Sequence, residues 1–162
     1  MRLFKGFDSL DGLHGKLTNF EAHPEWYGLI DGKRSDKIKG DAGNNYCTSN
    51  VDATKEIAKN MVQSLIDGEW RYVDIARFSM LDVGKWCECE NCANQGTCTD
   101  RVFQIVNTIL KEMAKARQDG RLQRQVLLTA SAYLETLYPP TKPLPADFDY
   151  DNFALRYVPI QR

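Results

Sequence analysis

The run QVLLTASAYL, residues 125–134, carries nearly continuous apolar side chains. Such a run is typical of a strand that is buried on both faces of a parallel sheet. The residues before it repeat apolar side chains at helical spacing, from a cap at Thr99 or Asp100 to a stop near Gly120. The apolar face of this helix consists of Val102, Phe103, Val106, Ile109, Leu110 and Met113. The centre of the chain is therefore predicted to be a helix followed by a buried strand.

The same alternation continues toward the N-terminus. Residues 70–81, WRYVDIARFSML, are β-branched and aromatic and predict a strand. Residues 51–67 show helical spacing, with Asn50 or Asp52 as the cap. Before them, NYCTSN at 45–50 predicts a short strand.

Toward the C-terminus, a proline-rich connection at 138–151 precedes a final strand, FALRYVPI at 153–160. Strands that alternate with helices indicate βα units and a parallel sheet, so the fold class is α/β. We expect three strands to be parallel neighbours, with the helix around 100–118 crossing right-handed between the first two. These strands are 71–80, 125–133 and 153–159.

Length and composition limit what the chain can be. The 162 residues suit a single domain, with residues 1–45 as an irregular N-terminal segment and 46–162 as the βα units. The net charge of −1 offers no basic field for a phosphate backbone, so we expect no nucleic-acid partner. No apolar run approaches the ~20 residues of a membrane span. The first residues also lack the apolar stretch of a signal peptide.

Several motifs occur here in the order found in one bacterial family: HPEWYGLIDGKR, YCTSN, CECENC, LLTASAYLETLYPP and LRYVPIQR. From about residue 15 to its end, the chain resembles this domain of unknown function, which looks like a glycoside-hydrolase TIM barrel. The resemblance implies a periplasmic or secreted protein whose partner is a carbohydrate. A whole (β/α)₈ barrel takes ~250 residues, so the chain corresponds to about half a barrel, and the rest of its own barrel would be a further partner.

Five cysteines form the densest chemical feature, and four of them lie within WCECENCANQGTC, residues 86–98. Clustered thiolates can hold a tetrahedral zinc ion, and four of them leave no open position for catalysis. Disulfides in an oxidising compartment are the alternative, although two cysteines separated by one residue pair poorly with each other. The resemblance covers all but the last of these cysteines. Four of the five are the candidate ligands of a structural zinc: Cys47, Cys87, Cys89, Cys92 and Cys98.

Two carboxylates follow predicted strands. A glycosidase needs a pair, one as general acid and one as nucleophile or base, and requires no cofactor for this chemistry. Asp82 matches the polar residue that the family carries at its strand end, and Glu135 follows the next strand. The alternative interpretations are that Asp82 caps its loop and that Glu135 is an exposed loop residue.

Aromatic and basic side chains share the same predicted edge. Trp86, Tyr133 and Tyr138 could stack on a sugar ring, although most single aromatics pack in a core. Arg156 and Arg162 could bind an acidic sugar bidentately, or form salt bridges within the barrel. The first hypothesis is thus a glycoside-hydrolase-like domain that acts on, or binds, polysaccharide-derived sugars. The alternatives are a non-catalytic carbohydrate-binding or scaffold domain and a small zinc-stabilised interaction module.

Overall fold

The structure is a computed structural model that describes residues 5–8, 17–35, 44–81 and 84–159. Within these residues the chain forms strands, α-helices and two short 3₁₀ helices, Pro24–Trp26 and Leu134–Thr136. The strands are β1 (Lys5–Asp8), β2 (Leu29–Ile30), β3 (Lys33–Arg34), β4 (Ile75–Ser79), β5 (Leu127–Ala132) and β6 (Phe153–Tyr157). The α-helices are α1 (Leu17–Ala22), α2 (Val51–Ile66), α3 (Glu90–Asn94) and α4 (Cys98–Gln118).

Four of the strands form one sheet in the order β1-β4-β5-β6, and every pairing in it is parallel. Ile75 of β4 stands opposite Leu127 of β5, and Leu128 stands opposite Phe153 of β6. The prediction that the three long strands are parallel neighbours is therefore confirmed. Helices joined to a parallel sheet give the expected α/β class.

In the part of the chain that the structure describes, the sheet stays open. β1 and β6 form its two edges, and no barrel closes. A TIM-barrel arrangement is thus not established by these strands, and the coarser α/β description is the one that holds.

The N-terminal segment, expected to be irregular, contributes regular structure. β1 adds the fourth strand of the sheet beside β4, and β2 and β3 form an antiparallel hairpin. The hairpin turn is formed by Asp31 and Gly32, which both have positive φ, 49° and 73°, as a two-residue turn that follows the twist of its strands requires.

The short strand expected at residues 45–50 is not formed. Instead, Asn44 and Tyr46 make isolated bridges to Lys85 and Tyr27, and a turn closed by the Asn50 N–H on the Cys47 carbonyl follows. After this turn Asn50 caps α2, and its side chain accepts from the Ala53 N–H at 2.9 Å.

The core lies between the long helices and one face of the sheet. Alternate residues of the central strands, such as Phe78 and Leu128, are fully buried in a cluster with residues of α2 and α4. On α2 the buried stripe follows the predicted period at Ile57, Met61 and Leu65. Among the described residues, no helix is long and apolar enough to cross a membrane.

Candidate metal centre

Four cysteine side chains converge at one place. The Sγ atoms of Cys47, Cys87, Cys89 and Cys92 lie within 4.8 Å of one another, and we call them the cysteine cluster. The Cys47 Sγ is 3.7 Å from the Sγ of Cys89 and 3.7 Å from that of Cys92. Ligands at the corners of a tetrahedron, each ~2.3 Å from a zinc ion, stand ~3.8 Å apart, whereas a disulfide joins its sulfurs at ~2.05 Å. All five cysteines are free thiols. The distances within the cluster are therefore those of a ligand set and not those of disulfides.

Cys47 is placed by the turn before α2. Its N–H donates to the Trp26 carbonyl at 2.7 Å, and its carbonyl accepts from the Asn50 N–H at 2.9 Å. The preceding Tyr46 is fully buried, with its hydroxyl 3.0 Å from Thr54 of α2. Cys47 is thus held between the N-terminal segment and the first long helix.

The other three cysteines are placed by the chain that follows β4. Cys89 is the N-cap residue of α3, and Cys92 lies within that helix and is fully buried. Cys87 is fixed against the hairpin, because Leu29 donates its N–H to the Cys87 Sγ at 3.3 Å and accepts from the Glu88 N–H at 2.8 Å. The short helix and the hairpin together direct these thiols toward Cys47.

Hydrogen-bond donors surround the sulfurs. The Ser49 N–H donates to the Cys92 Sγ at 3.3 Å, and the Ser49 hydroxyl lies 3.2 Å from the same atom. The Thr48 hydroxyl is 3.4 Å from the Cys92 Sγ and donates to the Gln95 side chain at 2.7 Å. The Thr48 hydroxyl gives its single proton to Gln95, so the backbone N–H groups of Ser49 and Leu29 are the donors that stabilise thiolates here, the form of cysteine that binds metal.

The thiols also affect one another's ionisation. Hydrogen bonds from Cys47 and Cys87, together with the hydroxyls of Ser49 and Thr48, hold the pKa of Cys92 far below its usual range despite burial. The pKa of Cys87 is raised by its hydrogen bonds to Cys47 and Cys92 and by burial. Without a cation, one thiolate in the cluster therefore opposes the ionisation of its neighbours. A divalent cation would remove that opposition.

Arg34 brings a positive charge to the cluster. Burial alone would lower its pKa, but the hydrogen bond to Cys47 and the charges of Cys47, Cys87 and Cys89 raise it. Its Nη1 also donates to the backbone carbonyls of Glu25, at 3.2 Å, and Tyr27. The guanidinium is thus anchored beside the thiols.

The model of one protein family, described as Domain of unknown function (DUF4838), matches residues 6–147. The chain belongs to this family. The matched region of the DUF4838 domain includes the whole cysteine cluster and ends before β6. Comparison with curated proteins and with solved structures found no match.

In the DUF4838 domain, Cys98 lies outside the cluster. It is the first residue of α4, is half-buried, and belongs to no group of clustered ligands among the described residues. Burial is the largest influence on its thiol and raises its pKa, and the charge of Glu135 acts in the same direction. Of the five candidate ligands, the structure therefore brings together the four that the family resemblance covers.

Only one of the two candidate catalytic carboxylates lies in the part of the chain that the structure describes. Asp82 lies outside the described residues. Glu135 lies in the 3₁₀ helix that directly follows β5, and it is exposed. Its neighbour Leu134 has φ +48°, a left-handed conformation that a bulky side chain rarely adopts. The strain places an unusual bend at the carboxyl end of β5, where a parallel sheet carries its functional groups.

The candidate sugar-binding residues occupy different surroundings. Trp86 is half-buried and packs against the core, whereas Tyr138 is 76% exposed. Tyr133 is the N-cap residue of the 3₁₀ helix after β5. Arg156, on β6, donates to the Ser131 hydroxyl of β5 at 3.2 Å, so it lies on the sheet face opposite the buried one. Arg162 lies outside the described residues.

The sequence analysis missed three side chains that act on the cluster: Thr48, Ser49 and Arg34. For the first two a signal existed, because both hydroxyls directly follow Cys47 in the motif YCTSN. No comparable signal pointed to Arg34, which reaches the thiols only because Leu29 faces it across the hairpin.

Proposed function

We propose that this DUF4838 domain is stabilised by one zinc ion, which the cysteine cluster binds through four thiolates. The observation that carries the proposal is the placement of four Sγ atoms within 4.8 Å of one another, with the Cys47–Cys89 and Cys47–Cys92 distances, 3.7 Å each, at the edge length of a zinc–thiolate tetrahedron. Four protein ligands leave no open position on the metal, so its role is structural. The ion would tie two parts of the chain together: the turn before α2, which carries Cys47, and the segment that follows β4, which carries the other three cysteines.

Metal analysis of the purified protein tests this proposal. We expect one zinc per chain in the wild type and in Cys98→Ser, which is the matched control because Cys98 lies outside the cluster. Cys92→Ser removes the most deeply buried ligand and should lose most of the zinc. A wild-type protein without metal whose mass is lower by two hydrogens per cysteine pair would instead establish disulfides.

We also propose that the domain is part of a glycoside-hydrolase-like barrel that acts on, or binds, polysaccharide-derived sugars, in a secreted or periplasmic setting. The parallel βα units support this proposal, as do the residues that follow β5. There, Tyr133 and Glu135 flank the strained Leu134. Tyr133 would stack on a sugar ring, and Glu135 would supply one carboxylate, with Asp82 as its partner. A domain that keeps only the binding surface is the non-catalytic form of the same proposal.

Activity and binding measurements on the full-length protein separate the two forms. If the domain is catalytic, Asp82→Asn and Glu135→Gln should each abolish glycoside turnover and leave sugar binding nearly intact, because an amide keeps the shape of the carboxylate and loses its proton chemistry. Glu21→Gln, at an exposed position in α1, is the control and should keep wild-type turnover. Sugar binding without turnover in the wild type, lost in Tyr133→Ala, would favour the binding domain. Turnover that survives both carboxylate changes would contradict the assignment of the pair.

A further inference from the structure

The proposed zinc site has a charge to balance. A zinc ion with four thiolates carries a net charge of −2, and this centre is mostly buried, since three of its four cysteines are no more than 4% exposed. Burying an uncompensated charge is costly, so such centres depend on nearby donors and cations. The N–H groups of Leu29 and Ser49 supply dipoles to the sulfurs, but they supply no net charge.

Other cations near the cluster in the described part of the chain are directed elsewhere or exposed, and Lys142, for example, donates to the Asn94 carbonyl at 2.7 Å. Lys85 pairs with Asp31 at 3.0 Å on the surface. Arg101 donates to the backbone carbonyls of Gly96 and Cys87. Lys33 is an exposed residue of the hairpin. Arg34 is different, because it lies on the hairpin that packs against the cluster through Leu29, and the charges of three cluster cysteines act on its guanidinium.

The hairpin places Arg34 beside the cysteine cluster. In the β2–β3 register Arg34 stands directly opposite Leu29, the residue that packs against the cluster and donates to the Cys87 Sγ. The carbonyls of Glu25 and Tyr27 accept from the Arg34 Nη1 and hold the end of this long side chain. Ordering an arginine side chain costs conformational entropy, and these two hydrogen bonds offset that cost. A guanidinium held at several points is suited to this position because it stays charged and donates in several directions.

We propose that Arg34 is the charge-compensating residue of the metal centre. Its guanidinium sets the affinity for zinc and the reduction potential of an iron ion bound in the same place. The proposal rests on the zinc site proposed above. Through Arg34 the β2–β3 hairpin, which provides no ligand, becomes part of the centre.

Zinc affinity is the first measurement. In a competition titration of the full chain with a chromophoric chelator, Arg34→Gln should bind zinc about 10- to 100-fold more weakly than the wild type, the range found when an outer-shell partner of a metal ligand is removed. Arg34→Lys keeps the charge and should recover most of the affinity. Lys85→Gln removes the same unit of charge from a surface pair that does not face the thiols, and it should bind zinc like the wild type.

The reduction potential of the iron-substituted protein is the second measurement, because a purely structural role of Arg34 would leave it unchanged. A nearby positive charge favours the more negative, reduced centre, so Arg34→Gln should shift the Fe(III)/Fe(II) potential to more negative values. Arg34→Lys and Lys85→Gln should stay close to the wild-type potential. If Arg34→Gln does not fold, Arg34→Met, which keeps the aliphatic stem and removes the charge, takes its place: a shift to more negative potential supports the charge role, and an unchanged potential overturns it.

The outcomes distinguish this proposal from the zinc site on which it rests. A wild-type chain that binds no zinc overturns both. A wild-type chain that binds one zinc, with the same affinity and the same iron potential in Arg34→Gln, overturns only the role of Arg34.

Discussion

The cysteine cluster and the carboxyl ends of β5 and β6 are built in different ways. In the cluster, four side chains of one type meet within 4.8 Å, and three of them come from six consecutive residues. At the strand ends, Glu135 is exposed, and Arg156 donates to the Ser131 hydroxyl of the neighbouring strand. A structural metal site can be assembled almost entirely from one loop with a single distant anchor. A site for a sugar needs groups from several strand ends, and two of its candidates, Asp82 and Arg162, lie outside the described residues.

The largest expected effect comes from removing the metal, which would break the cluster and spare the strand ends. Structural zinc supplies on the order of 10 kcal/mol of apparent folding free energy in small metal domains. We therefore expect chelation, or Cys92→Ser, to lower the free energy of unfolding by several kcal/mol, with Cys98→Ser close to the wild type. Urea unfolding with and without chelator measures this. Equal stability in both conditions would show that the sulfurs pack without a metal.

The next largest effect concerns Asp100, which joins the two regions. Its carboxylate is 3% exposed and accepts from the Thr97 N–H and hydroxyl at the end of the cysteine segment. It also accepts from Thr141 and from the Lys142 N–H in the loop that follows β5. Since an amide would turn a donor toward other donors, we expect Asp100→Asn to cost about 3 kcal/mol of unfolding free energy. A cost below about 0.5 kcal/mol would mean that the two regions are held together by other contacts.

The same residue predicts a pH dependence. Burial would raise the pKa of Asp100, but the bonds from Thr141, Lys142 and Thr97 outweigh it and hold that pKa well below its usual range. A carboxylate with a depressed pKa contributes stability that is fully present above its unfolded-state pKa of ~3.9, and that is lost as the pH falls through the folded-state value. The difference in unfolding free energy between the wild type and Asp100→Asn should therefore shrink below about pH 4. A difference that stays constant from pH 7 to pH 3 would contradict this.

A smaller effect is expected at Gly96, between the last cluster cysteine and α4. Its φ is +108°, and an added Cβ would stand 2.5 Å from the Asp100 Oδ2. Gly96→Ala should cost about 1–3 kcal/mol because it adds backbone strain and displaces the carboxylate. Thermal unfolding measures the cost, and the exposed Ala93→Gly in α3 is a contrasting control for helix propensity alone. Metal content should remain that of the wild type.

The smallest effect on stability is expected at Arg156. The side chain is exposed on an edge strand, so Arg156→Ala should change the free energy of unfolding by less than about 0.5 kcal/mol. If Arg156 binds an acidic sugar, the same change should weaken binding of that sugar in isothermal titration while a neutral sugar binds as before. Equal loss for both sugars would assign Arg156 to the framework of the sheet.

Patterns with a short range in sequence predicted most of this structure. The apolar run at 125–134 and the helical period before it place β5 and α4. The start of α4 also had a usable signal, since Thr97 and Asp100 form a capping box, although the cap was expected at Thr99 or Asp100. The four-residue β1 was missed because strand pairing with β4, rather than its own composition, makes it a strand.

In the candidate site, too, local patterns predicted some residues and missed those that depend on contacts between distant segments. Three ligands could be predicted because they share one loop. Cys47 could be predicted because it lies in the family motif YCTSN. Arg34 could not, since its place depends on the register of a hairpin and on two backbone carbonyls. For Glu135 the sequence gives a strand end, but whether a second carboxylate faces it is decided by the relative placement of separate strands, which no local pattern carries.

The distance along the chain between the cluster cysteines has a consequence for synthesis on the ribosome. Cys47 and Cys92 are 45 residues apart, so at 5–20 residues per second the first emerges roughly 2–9 s before the last. For most of this interval Cys47 has none of its partner thiols, because the first of them, Cys87, follows 40 residues later, and Cys47 remains open to oxidants. The proposed centre can close only after α3 has left the exit tunnel. Zinc acquisition would then be a late step of biogenesis, and a chain arrested before residue 92 would carry a reactive thiol in place of a metal site.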